Sequence, residues 1–73
     1  GEVEIIFNQP PGKLRTEVVT SAGVVIYSKD FGEYAGRNLR LTALNNREQG
    51  LYLIRLSTGT GTYIHKVVKI RDK

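Results

Sequence analysis

Few residues in this sequence can do chemistry. The chain has one histidine, His65, no cysteine and seven acids among 73 residues. Nucleophilic catalysis needs a Ser, Thr or Cys beside a base in a cleft, and His65 stands in mid-strand next to Lys66. Small β domains seldom have room for a deep site, so the spacing predicts a surface imidazole. Paired carboxylates do no better. Glu2 and Glu4 fall on one face of a first strand, and Asp30 and Glu33 flank a turn, where solvated acids are at home. Without a Cys/His cluster there is no structural zinc site of the usual kind, and no closely spaced run of Asp and Asn offers oxygens to calcium. The tract STGTG, Ser57 to Gly61, has the composition of a phosphate-cradling loop. Such loops draw their anion affinity from the N-terminus of a following helix, and a strand-like run follows here. The expectation is a domain with no catalytic residues, no cofactor and no metal.

A net charge of +4 raises nucleic acid as a partner. The cations, however, are spread singly: Lys13, Arg15, Arg37, Arg40, Arg47 and Arg55 are interleaved with threonines and acids, and only the terminal KIRDK is dense. A stacking platform would need aromatics on a basic face, and Tyr27, Tyr34, Tyr52 and Tyr63 are the candidates. Tyr52 turns inward on the expected register and Tyr63 lies beside Arg55 across a hairpin. One tyrosine and one arginine make no groove, so nucleic acid is not expected.

The elements that must position these residues are strands. Alternation and β-branched runs recur, and no segment carries apolar residues at helical spacing. The first strand is Val3 to Phe7, ended by NQPPG, where two prolines remove ladder donors. The second, Lys13 to Ser21, puts Leu14, Thr16, Val18 and Thr20 on one face. Ala22-Gly23 makes a tight turn into Val24 to Phe31. GEYAG, Gly32 to Gly36, is a second turn before Arg37 to Leu44, and the polar loop NNREQG follows. The stretch LYLIRLS then directs Tyr52, Ile54 and Leu56 to the core. TGTGT, Thr58 to Thr62, closes the hairpin, with Gly59 and Gly61 wanted for backbone reasons. In the last strand Ile64, Lys66, Val68 and Ile70 oppose Tyr63, His65, Val67 and Lys69. Either set can face inward, because one register slip exchanges them.

These signals predict an all-β fold: one domain over residues 1–73, a small antiparallel immunoglobulin-like β-sandwich of about six to seven strands. So short a chain leaves a strand edge open, through which a monomer could take a partner strand or form an edge-strand-mediated dimer. No segment reads as a signal peptide or a transmembrane span; the longest apolar runs, such as Val24 to Tyr27, are strand-sized. The chain is either mature as it stands or excised from the C-terminus of a longer secreted protein.

The order TSAGVVIY, then LRLTAL, then GLYLIRLSTGTGTYIHKVVKI resembles the C-terminal sorting domain of type IX secretion system cargo proteins from Bacteroidetes, over about Val18 to Ile70. Gly23 before a valine-rich strand, Leu41 and Leu44, then Gly50, Tyr52, Ile54 and Leu56, and last Lys66, Val67, Val68 and Ile70 occupy the positions of that family's motifs. The family's aromatic, proline, asparagine, proline opening is met only in part by FNQPP, at Phe7 and Pro10. The resemblance implies a non-catalytic signal that directs cargo across the outer membrane to the cell surface. Its partners would be the outer-membrane secretion translocon, which recognises it after periplasmic transit, and a sortase-like protease that removes it. Exposed Lys66, Lys69 and Arg71 would then complement an acidic receptor. The same ending also resembles small secreted immunoglobulin-like domains of gut Bacteroides, which would make the chain a free-standing binding or adhesion domain.

Overall fold

Two strand-forming stretches that turn every second residue inward, KLRTEVVT through Leu14, Thr16 and Val18 and LYLIRLS through Tyr52, Ile54 and Leu56, build the centre of the molecule. The computed structural model describes residues 2–70. These form six strands and no helix: β1 Val3–Ile6, β2 Gly12–Thr20, β3 Val25–Tyr34, β4 Asn38–Leu41, β5 Gly50–Thr58 and β6 Gly61–Lys69. β2 and β5 pair antiparallel, with Thr16 opposite Leu56, Val18 opposite Ile54 and Thr20 opposite Tyr52. Hairpin partners β3 and β6 extend this pair outward, giving a four-stranded sheet in the order β3-β2-β5-β6. β1 and β4 form a separate two-stranded sheet, with Val3 opposite Leu41 and Ile5 opposite Leu39.

The two sheets share one apolar core. Leu14, Val18, Tyr52, Ile54 and Leu56 from the larger sheet meet Leu39, Leu41 and Leu44, with Val3, Ile5 and Phe7 packed against them. Each fully buried aliphatic side chain contributes about 1.5–3 kcal/mol, the main favourable term in a domain this small. The all-β, antiparallel, sandwich-like fold and the inward set Tyr52, Ile54 and Leu56 agree with the pattern in the sequence. Six strands divide four and two, fewer than the seven of an immunoglobulin constant-type sandwich.

Local geometry departs from expectation at three places. GEYAG is not a turn: β3 runs on through Tyr34. A bulge where the β2–β3 register shifts lets the half-buried Phe31 face the core, and Asp30 accepts a hydrogen bond from the Gly32 amide at 2.9 Å. Phe31 and Phe7 then pack edge-on against Tyr34, with centroids 5.4 and 6.4 Å away, which holds the strand end against the smaller sheet. β4 stops at Leu41 rather than Leu44, because residues 43–46 form a turn closed by Asn45 N–H donating to Thr42 O and Arg47 N–H to Leu44 O. Leu44 is nevertheless buried. In the last hairpin only Gly61 of the two turn glycines has a positive φ. The turn is instead braced by the Thr58 hydroxyl, which accepts from the Thr60 amide at 3.2 Å.

Thr16 is fully buried, and its hydroxyl has no hydrogen-bond partner. An unsatisfied buried hydroxyl costs about 1–3 kcal/mol, and valine has the same shape and a higher strand preference. Thr16→Val is expected to stabilise the domain by about 1 kcal/mol. In thermal unfolding the midpoint should rise by roughly 4–8 °C.

Candidate functional site

The feature Gly50-Leu51-Tyr52 acts as the entry clamp of the last hairpin. Gly50 opens β5 at φ +153, a conformation that L side chains rarely adopt, and nothing within 4 Å of it would obstruct a Cβ. Backbone geometry, not crowding, therefore selects glycine there. Two residues on, Tyr52 points into the core and its hydroxyl donates to the Glu48 carbonyl at 2.7 Å. The ring fills the core while the hydroxyl ties down the loop that precedes the strand. Gly23 has a comparable backbone role in the β2–β3 turn. Thr20 O accepts from Gly23 N–H and Thr20 N–H donates to Val24 O, a three-residue loop whose last position, at φ +89, favours glycine.

Register then decides what β6 displays. Thr58 opposite Gly61 places Leu56 opposite Tyr63, Ile54 opposite His65, Tyr52 opposite Val67 and Gly50 opposite Lys69. Tyr63, His65, Val67 and Lys69 thus share the inner face of the sheet, and Ile64, Lys66 and Val68 the outer. The more apolar set faces away from the core, with Ile64 61% and Val68 67% exposed. Tyr63 does not lie beside Arg55, which pairs with Ile64. Glu17 on β2 binds Arg55 at 2.7 Å and is approached by Arg15 at 3.8 Å, so this acid is already engaged on the outer face.

The smaller sheet leaves part of the inner face of β6 uncovered. A groove of about 640 Å³ runs between β1 with its Phe7–Pro11 extension and the inner side of β5–β6, lined by Ile54, Leu56, Tyr63, His65 and Val67. His65 is exposed there, as an imidazole on an open floor. Two further carboxylates have structural duties: Glu2 pairs with Arg40 at 3.4 Å and Glu4 accepts from the Asn38 amide at 2.9 Å. Among the described residues no cluster of three or more His, Cys, Asp or Glu side chains could hold a metal ion. The tyrosines form no shared basic face either, since Tyr52 is core and Tyr27 and Tyr34 are half-buried against it.

Of the residues singled out in the sequence, Leu41, Leu44, Tyr52, Ile54 and Leu56 are buried together, and Val67 packs half-buried on them. Lys66, Val68 and Ile70 are exposed. Lys69 is not the free cation expected: its ammonium donates to the Leu44 carbonyl and, at 3.0 Å, to the Asn45 carbonyl. It ties the end of β6 to the 43–46 turn. Arg71 lies outside the described residues. Ile64 and Leu53 complete the outer face without belonging to the motif set; the same-parity grouping of Ile64 with Lys66 and Val68 was the available signal.

Lys69→Met keeps the stem and removes both charge-assisted bonds. It is expected to cost about 1–2 kcal/mol and to speed exchange of the Asn45 and Arg47 amides, measured by native-state hydrogen exchange.

Compared with known proteins, residues 1–70 match the family model described as a secretion system C-terminal sorting domain. No curated protein and no solved structure matches the chain.

Proposed function

The chain belongs to the secretion system C-terminal sorting domain family, and from that premise we propose that the β5–β6 hairpin is the element read by the secretion machinery. A domain of this family is a C-terminal sorting signal for type IX secretion cargo, and it marks proteins for the cell surface or extracellular space. Its partner is the type IX secretion machinery. In our reading the domain is the tail of a longer secreted protein, the outer-membrane translocon contacts it, and a sortase-like protease removes it. Such sorting domains are not catalytic, and we assign no reaction to this chain.

The observation that carries the proposal is the outward display of Ile64, Lys66 and Val68 on an edge strand, with Ile70 exposed just beyond it. The residues of the resemblance divide accordingly. Leu41, Leu44, Tyr52, Ile54, Leu56 and Val67 make the platform, Gly23 and Gly50 shape its entries, and Lys66, Val68 and Ile70 stand where a receptor can meet them. A folded strand costs its receptor little ordering entropy, which favours recognition of the sandwich over an unfolded tail.

The test fuses residues 1–73 to the C-terminus of a periplasmic reporter in a strain carrying the secretion system. A small folded domain is inserted either between Gly59 and Thr60 or, as a control, between Ser21 and Ala22; both are exposed hairpin tips that tolerate insertion. Export should persist with the control insertion and fall at least about tenfold with the β5–β6 insertion, a loss of 1.4 kcal/mol or more in recognition. Equal export of the two fusions would refute the assignment.

A further inference from the structure

The outer face of the β5–β6 hairpin carries an isolated cation in an apolar field. Lys66 stands between Ile64 and Val68 along β6 and opposite Leu53 on β5. Beyond Leu53 lie Val19 and, across β2, Val25. Leu51 pairs with Val68 at the far end. Leu51, Val25, Ile64 and Val68 are all exposed, while Val19 is buried by its neighbours. Away from the patch on the same face, Glu17 holds Arg55 at 2.7 Å and Arg15 at 3.8 Å, so that acid is not available to Lys66. Lys66 makes no ion pair or hydrogen bond among the described residues.

Covering this patch would strip water from an ammonium, and a buried charge without a partner is strongly unfavourable. The occupant must therefore supply a single anion in the middle of an apolar surface. Resting on the sorting reading, we propose that the Ile64–Lys66–Val68 face docks on a protein of the secretion machinery whose apolar contact surface presents one Asp or Glu carboxylate to Lys66. Charge complementarity selects this occupant over two others. A second copy docking through the same face would bring Lys66 against Lys66 near the two-fold axis, where like charges repel. An anionic membrane is held by clusters of four to eight cations, each adding about 1 kcal/mol, whereas the apolar patch of Ile64, Val68, Leu51 and Leu53 contains a single cation, Lys66. A one-to-one charge pair ringed by apolar contacts has the form of an interface hot spot.

The reporter fusion separates the two levels of the argument. Lys66→Glu is exposed on an edge strand and should melt as the parent does, while its export falls at least about tenfold, because it leaves two carboxylates facing each other in a desolvated contact. Lys66→Arg should retain export, and Ile64→Thr with Val68→Thr should lower it severalfold. Purified chain is then treated with a zero-length carbodiimide in the presence of solubilised outer membranes from the secreting strain. The reagent activates a carboxylate, the Lys66 amine attacks it, an amide forms and the urea leaves. The cross-linked peptide should join Lys66 to one Asp or Glu of a secretion-machinery protein, and changing that residue to Lys should restore export of Lys66→Glu.

Parental export by Lys66→Glu would overturn the inference while leaving the sorting role intact. Lys66-dependent binding to vesicles of anionic phospholipid, or a Lys66-dependent dimer in sedimentation, would overturn it in favour of a membrane or a second copy. If the unmodified chain fails to carry the reporter out, the sorting reading falls and this inference falls with it.

Discussion

The pairing of β2 with β5 is the constraint on which the rest of the structure depends. It joins strands far apart in the chain, with Glu17 and Arg55 separated by 38 positions yet 2.7 Å apart. Closing such a loop costs entropy that local contacts do not repay, so the pairing has to be held by burial. Leu14, Thr16 and Val18 against Leu56, Ile54 and Tyr52 provide it. Once these two strands meet, each local hairpin partner adds to one side, and the four-stranded sheet offers a single apolar face on which β1 and β4 can settle.

The mismatch between a four-stranded and a two-stranded sheet explains what the surface looks like. The smaller sheet is too narrow to cover the larger one, so the inner side of β6 is left beside an open groove, and Tyr63 and His65 remain exposed although they face inward. The outer side of β6 carries the aliphatic residues that a larger domain would have buried. A small domain can spare few apolar residues from its core. Placing Ile64 and Val68 outward on an edge strand is consistent with a surface that finds its cover in a partner, with Lys66 keeping the edge from pairing with another copy.

Rigidity at the hairpin is built by few contacts, each anchoring a different end. Tyr52 fastens the entry of β5 to Glu48, the Thr58 hydroxyl braces the turn, and Lys69 fastens the end of β6 to the Leu44 and Asn45 carbonyls. The residues that make the family resemblance thus perform two separate duties. Most of them shape or fill the sandwich, while the side chains of Lys66, Val68 and Ile70 are exposed.

Alternation and turn chemistry were enough to determine that the chain is all β, that Leu14, Thr16 and Val18 share one face of their strand, that Tyr52, Ile54 and Leu56 point to the core, and that Gly23 turns one strand into the next. Those properties follow from side-chain period and local backbone preference, which a sequence carries in full. The continuation of β3 through Gly32–Tyr34 was not legible, because Phe31 packs on Tyr34, and Tyr34 in turn on Phe7, which follows β1 far away in the chain. Nor was the target of Lys69, since a long flexible side chain finds whichever carbonyls the fold brings near. Above all, periodicity alone left both faces of β6 open. Pairing from the Gly59–Thr60 turn onward resolved it, sending the more apolar face outward, because register is a property of two strands together and not of either one.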